Sequence, residues 1–366
     1  MSEQQKIRIG ITQGDINGIG YEVILKTFAE PEILELCTAI LYGSPKLASY
    51  HRKALELPTQ YNTIEKAEEA EYDKLNIINC NNDEVHIDLG HATKEGGKAA
   101  YEALEKAITD YKDGKIDVIV TAPINKNNIQ GEEFNFPGHT EYLQERAGKD
   151  GEKSLMILCS GDLRFALATS HLPLRDVAAA ITPELLEEKI TIFNKSLKED
   201  FNIDAPKIAV LALNPHAGDN GIIGTEEQEI IKPTIEKMSK EGILCYGPFP
   251  ADGFMGSANY THFDGILAMY HDQGLIPLKA LGMEDGINFT AGLSIIRTSP
   301  AHGVAYDIAG KGCADENSFR QAIYAAIDIY RNRKNNEYAH RNPLRKLYFE
   351  KRDDSNRLNL QQADNE

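Results

Sequence analysis

Three histidines each end an apolar run of the chain. RFALATSHLP reaches His171 and Pro173, KIAVLALNPHAG reaches His216 and Gly218, and GILAMYHDQG ends in His271, Asp272 and Gln273. In each, a buried strand gives way to a histidine and a turn. Ligands of open α/β sheets bind beyond the carboxyl ends of the strands, so side chains placed there face a crevice. Neutral imidazole is the commonest protein ligand of zinc, and three protein ligands with one open position make a catalytic metal site. The wide separation of the three excludes a local H-E-x-x-H helix, so a shared metal requires tertiary or quaternary assembly. Taken singly, each reads first as a polar residue satisfied at a strand end.

A second set of residues suits an anion. His139 and Thr140 sit where FPGHTEYLQERAG turns into a helix, and free N–H groups with the helix dipole favour phosphate there. Lys279 in IPLKAL and Arg297 after LSII are cations attached to apolar runs, costly unless paired. Asn288 and Asp252 lie in turn-rich segments and by themselves are turn formers. AHGVAYDIAGKG, residues 301–312, surrounds Asp307 and Lys311 with glycines and small residues, which suits either close approach by a ligand or a plain loop. The glycine-rich QGDINGIG after the first strand lacks G-x-G-x-x-G and reads as turn chemistry before a cofactor loop.

The elements that position these groups follow a β-α-β rhythm. Lys6–Thr12 alternates isoleucines as a first strand, and a helix is expected near Glu22–Phe28. AILYGS, LNIINC and IDVIVTAP continue the strands, with a helix near Leu47–Leu57 and another carrying Ala99, Ala103, Leu104 and Ile108. Thr140 is placed to cap the helix that stops at Gly148. SLMILCS and RFALATS, joined by Gly161 and Asp162, predict an antiparallel hairpin, so the sheet is mixed. Pro183 opens a long helix, and Thr225 with Gln228 forms a capping-box pattern before one near Glu226–Lys240. LIPLKAL and INFTAGLSIIRTS read as further strands, and a helix near Ser318–Tyr330 closes the fold. Residues 331–352 hold eight basic and two acidic residues and read as a surface extension.

The 366 residues exceed one usual core and predict two lobes. Hydrophobic residues make up 42% and charged residues 26%, ordinary globular composition. A net charge of −17 disfavours nucleic-acid binding, which needs clustered Lys and Arg. Five scattered cysteines without a C-x-x-C pair read as reduced thiols. The start lacks a signal-peptide pattern and no window is long and apolar enough for a membrane span, so a cytoplasmic protein without membrane contact is expected.

PGHTE (137–141), ALATSHLPLRDVAAAITP (166–183), LALNPHAGDNG (211–221), MYHDQGLIPLK (269–279) and INFTAGLSIIRTSPAHG (287–303) together resemble the 4-hydroxythreonine-4-phosphate dehydrogenase family of pyridoxal phosphate biosynthesis. The resemblance runs from about Ile7 to Tyr330. It implies a fold like isocitrate and isopropylmalate dehydrogenases, two α/β/α lobes with mixed sheets. Residues 1–135 with 288–330 would form the cofactor lobe, 136–287 the metal and dimer lobe, and 331–366 an extension. It further implies a homodimer with the active site at the subunit interface and NAD or NADP bound by His302, Gly303, Asp307, Gly310 and Lys311. One divalent metal, zinc with magnesium or cobalt as alternatives, falls on His171, His216 and His271, the last reaching in from the partner. Substrate contacts fall on His139, Thr140, Asp252, Lys279, Asn288 and Arg297, and proton transfers on Asp272 or Lys279.

The implied reaction is oxidation of 4-phosphohydroxy-L-threonine at its C3 hydroxyl, then decarboxylation to 3-amino-2-oxopropyl phosphate. Threonate or erythronate 4-phosphate are alternative substrates. From another class, a metal-dependent hydrolase or aldolase, or a binding protein without turnover, would also use three histidines and an anion pocket. The chain departs from the family's pattern at QGDINGIGYE, in the polar stretch before Gly96 and in the tail beyond Arg331.

Overall fold

In a computed structural model, residues 6–80 and 86–342 are described. The strands are β1 (Ile7–Thr12), β2 (Cys37–Gly43), β3 (Tyr61–Ile64), β4 (Leu75–Asn79), β5 (Val118–Thr121), β6 (Leu155–Ser160), β7 (Leu163–Leu167), β8 (Ile208–Leu211), β9 (Cys245–Phe249), β10 (Gly265–Ala268), β11 (Ile287–Ala291) and β12 (Arg297–Pro300). The helices are α1 (Gly20–Thr27), α2 (Pro45–Ala54), α3 (Lys94–Lys112), α4 (His139–Ala147), α5 (Leu174–Ala180), α6 (Pro183–Glu199), α7 (Lys232–Lys240), α8 (Ala251–Gly256), α9 (His271–Gly282) and α10 (Asn317–His340).

All the strands join one mixed sheet in the order β3-β4-β2-β1-β5-β12-β11-β6-β7-β10-β8-β9. From β3 to β12 the neighbours are parallel, and so are those from β7 to β9. Between these halves β12, β11, β6 and β7 run antiparallel, which includes the hairpin the sequence predicts. The parallel strands are apolar on both faces because helices cover both: β2, β5, β8 and β10 are buried throughout. Caps set several of those helices in place. Ser44 accepts from the Leu47 N–H ahead of α2, and Thr182 accepts from the Leu185 N–H with Pro183 at the first position of α6.

Four local expectations are corrected. LIPLKAL is helical: it lies in α9, where Leu275 and Leu278 are buried while Ile276 and Leu281 face outward, a period near four in place of two. Thr140 does not cap α4, whose N-cap is Gly138; it lies in the first turn with its hydroxyl 3.4 Å from that of Thr290. Thr225 contributes its carbonyl, not its hydroxyl, to the turn before α7, accepting from Gln228 and Glu229. The last helix runs past Tyr330 to His340, because Asn332 bonds the Asp200 carbonyl and Arg333 bonds the Asp200 carboxylate and the Leu293 and Ser294 carbonyls. The rest of the expected extension, from residue 343, lies outside the described residues.

Candidate active site

Beyond the carboxyl end of β5 and beside the antiparallel strands lies a cavity of about 310 Å³. The loop after β5 supplies Lys126, the start of α4 supplies His139, Thr140 and Glu141, and β11 and β12 supply Asn288 and Arg297. The segment after β7 contributes His171, α9 contributes His271 and Lys279, and the loop after β12 contributes His302 and Gly303.

Arg297 is 3% exposed, and its hydrogen bonds go to hydroxyls and an imidazole instead of a carboxylate. Its Nη2 and Nε donate to Thr121 Oγ1 at 2.6 and 3.0 Å, and Nη2 also donates to His139 Nδ1 at 3.1 Å. Burial pulls the guanidinium down from its usual range, an effect only partly offset by the Glu141 charge. A buried cation left without a counter-ion is destabilising, so the site is complementary to an anion. Because a guanidinium only donates, His139 must accept at Nδ1 and carry its proton on Nε2. Burial, then the nearby Arg297 and Lys126 charges, hold this imidazole well below its usual pKa and therefore neutral. Its Nε2 is buried without a hydrogen-bond partner among the described residues, as is Asn288 Oδ1. His302 has the opposite tautomer, with Nδ1–H donating to the Gly303 carbonyl at 3.0 Å and Nε2 buried as a bare acceptor.

The histidine pair at the other end of the cavity is arranged for a cation. The His171 and His271 rings stand 6.1 Å apart. Glu141 Oε1 lies 3.2 Å from His171 Nδ1, and Asp272 Oδ1 lies 2.7 Å from His271 Nδ1. Carboxylates on Nδ1 orient the rings, the usual outer arrangement of histidine ligands, and leave Nε2 of His271 for a metal while that of His171 meets a lysine. Lys126 Nζ is 3.1 Å from His171 Nε2. Burial pushes the Glu141 carboxyl up, but bonds to His171 and its own N–H, with the Lys126 charge, bring it below the usual range.

His216 is not in this cavity. It is exposed on the turn after β8, and among the described residues of one chain no three His, Cys, Asp or Glu side chains form a metal-sized cluster. His271, expected to reach into a partner's site, instead stands beside His171 of its own chain. Asp272 is exposed and bonded to His271, and Asp252 is exposed at the start of α8, away from the cavity. His302 and Gly303 line the cavity; Asp307, Gly310 and Lys311 are exposed outside it, where Gly310 packs so closely that an added Cβ would lie 2.8 Å from Leu89 Cδ1.

Lys126 and Glu141 were not singled out as site residues from the sequence. The available signals were the strand end before Lys126 and the place of Glu141 within PGHTE. The side chains of the opening turn are bonded within the fold. Asp15 is buried and accepts from Asn128 and the Tyr306 hydroxyl, both at 2.7 Å, while the Asn17 side chain bonds Thr93 and the Asp88 N–H.

Fold and site together define an α/β enzyme of small anionic substrates, with a basic, partly buried cavity beside a histidine pair. The chain belongs to the family of the pyridoxal phosphate biosynthetic protein PdxA, whose profile matches residues 35–326. It is 64% identical to the 4-hydroxythreonine-4-phosphate dehydrogenase of Bacteroides thetaiotaomicron over 99% of both chains. It is also 38% identical to the D-threonate 4-phosphate dehydrogenase of Cupriavidus necator over 88% of this chain and 96% of that one. The crystal structure of 4-hydroxythreonine-4-phosphate dehydrogenase from Klebsiella pneumoniae superposes with a TM-score of 0.75 at 32% identity, covering 89% of this chain and all of that one. Among the described residues no helix is long and apolar enough to cross a membrane.

Proposed function

We propose that this chain is an NAD(P)- and divalent-metal-dependent dehydrogenase that oxidises 4-phosphohydroxy-L-threonine at C3, its product losing CO₂ to give 3-amino-2-oxopropyl phosphate. The observation that carries the reading is the buried Arg297 with its neutral partner His139, two groups prepared for an anion. His139 donates through Nε2–H, Thr140 and the first turn of α4 add donors, and Lys279 and Arg297 supply charge for the phosphate and carboxylate. Asn288 turns its free carbonyl oxygen to a substrate donor. Holding the substrate at both ends fixes C3 for reaction.

The metal would be held by His271 and His171 through Nε2, the ion displacing Lys126 from His171, with a third imidazole from His216 of a second subunit. A bound divalent ion lowers the pKa of the substrate hydroxyl and stabilises the negative charge of oxidation and decarboxylation. Asp272 orients His271, which moves the proton-transfer role toward Lys279 and Lys126, both on the cavity wall. His302 and Gly303 form the edge on which the nicotinamide would lie. A homodimer supplies His216. On the flank of the histidine pair away from the anion site, a second hollow of about 370 Å³ is lined by Leu172, Leu174, Val177 and Tyr270. Leu174 is 72% exposed there, and Ile222, close after His216, is 81% exposed. Exposed aliphatic residues of this size suit a covered interface.

The Cupriavidus relative's name favours a second reading, in which the substrate is D-threonate 4-phosphate. NADH absorbance with metal-loaded protein separates them, offering in turn 4-phosphohydroxy-L-threonine, D-threonate 4-phosphate and erythronate 4-phosphate. Turnover is expected with the first. Preference for an acid-sugar phosphate selects the second reading, and no NADH with any of them overturns the dehydrogenase assignment.

A further inference from the structure

The turn that carries His216 is built in an unusual conformation. His216, Ala217, Gly218, Asp219 and Asn220 all have positive φ, from 42° to 77°, one turn of left-handed helix in which only Gly218 lacks a Cβ. The clash of Cβ with the carbonyl disfavours this conformation for each of the other four. Such backbone persists only where its surroundings over-determine it, and it concentrates at functional sites.

Glu227 stands against this turn. Its side chain is buried, with Oε1 accepting from the Leu213 and Asn214 N–H groups at 2.8 and 2.7 Å. Oε2 accepts from Asn214 Nδ2 at 3.0 Å. A Cβ added to Gly218 would fall 2.7 Å from Oε2, so the carboxylate is pressed against the turn itself as well as bonded to the residues that enter it. Glu227 starts a π-helical turn, Glu227–Ile231, ahead of α7; such insertions re-aim a side chain within a helix.

We propose that Glu227 is a positioning residue of the metal site: it fixes the left-handed turn and thereby the direction in which His216 leaves the sheet toward the partner subunit's histidine pair. This rests on the reading of His216 as a ligand. A buried carboxylate satisfied only by N–H groups is expensive unless those bonds hold something in place.

The test is a Co²⁺ titration of the full-length chain, read by affinity and by the visible spectrum of the bound ion, with inorganic phosphate binding and thermal melting measured in parallel. In Glu227→Gln one acceptor oxygen becomes a donor facing other donors. Glu227→Asp keeps the charge but, one methylene shorter, withdraws the carboxylate from the Leu213 and Asn214 N–H groups. Both variants are expected to lose about 10–100-fold in Co²⁺ affinity, the usual effect of removing an outer-sphere contact, with a changed spectrum and unchanged phosphate binding. Should Glu227→Gln fail to fold, Glu227→Asp decides. Wild-type affinity and spectrum in either folded variant overturn the proposal. If the wild-type chain binds Co²⁺ but His216→Ala binds it equally well, the ligand reading of His216 fails, and this inference with it.

Discussion

Arg297 and His139 show how one residue's chemistry constrains another's. A guanidinium that donates to Nδ1 leaves the imidazole a single tautomer, and burial keeps it uncharged. Since Arg297 is a buried charge without a carboxylate partner, Arg297→Met should raise the melting temperature while cutting kcat/KM about 10–100-fold, the worth of a charge-assisted hydrogen bond. A melting temperature that falls with the substitution would contradict the account of Arg297 as unpaired. A buried histidine also adds to the loss of stability in acid. His51, stacked on Tyr21 at 5.2 Å, is held down to about 4 by burial. Its folded pKa lies below the unfolded value near 6.5, so its contribution is intact above about pH 6.5 and is lost as pH falls toward 4. Urea midpoints at pH 7 and pH 5 should therefore differ less in His51→Phe than in the wild type. His171, His271, Lys279 and Arg297, which line the cavity, each interrupt or end an apolar run, and that is what marked them in the sequence. Lys126 was not legible in this way, since the strand end before it marks a loop near the crevice but not a lysine that reaches across to His171.

Among the elements, strand ends were readable because alternation and apolar runs report burial directly, and the β6–β7 hairpin announced itself through Gly161 and Asp162. LIPLKAL misled for a physical reason: a short apolar stretch has no period of its own until it is known which side is covered. The two readings differ in a measurable way. As a strand, Ile276 and Leu278 would share a face; in α9 Leu278 is fully buried and Ile276 is 66% exposed. Leu278→Ala should cost about 2–5 kcal/mol in urea unfolding, whereas Ile276→Ala should change it by less than about 0.5 kcal/mol. Equal losses would restore the strand. The left-handed turn after β8 was beyond sequence reasoning, since NPHAGDN contains only one residue suited to positive φ without penalty.

For the whole molecule, a chain of net charge −17 gathers Lys126, Lys279 and Arg297 around one cavity, so its acidic surface and its basic site belong to different partners. The proposed metal site also predicts how subunits would complement. If His216 joins His171 and His271 from a second chain, as proposed, mixing inactive His171→Ala and His216→Ala chains should regenerate one intact site per heterodimer. Mixing His171→Ala with His271→Ala regenerates none. Activity recovered in the first mixture alone is the expected result, and recovery in the second would place His271 across the interface instead. The order of the sheet has a consequence for synthesis. β12 is the neighbour of both β5 and β11, and β11 is the neighbour of β6, so the middle of the sheet is assembled from strands made far apart in time. Until Arg297–Pro300 has left the ribosome, the completed β3-β4-β2-β1-β5 half ends in an unpaired edge open to any passing strand. The nascent enzyme is thus most exposed to aggregation after its first half has formed, and a chain truncated before Arg297 would keep that open edge permanently.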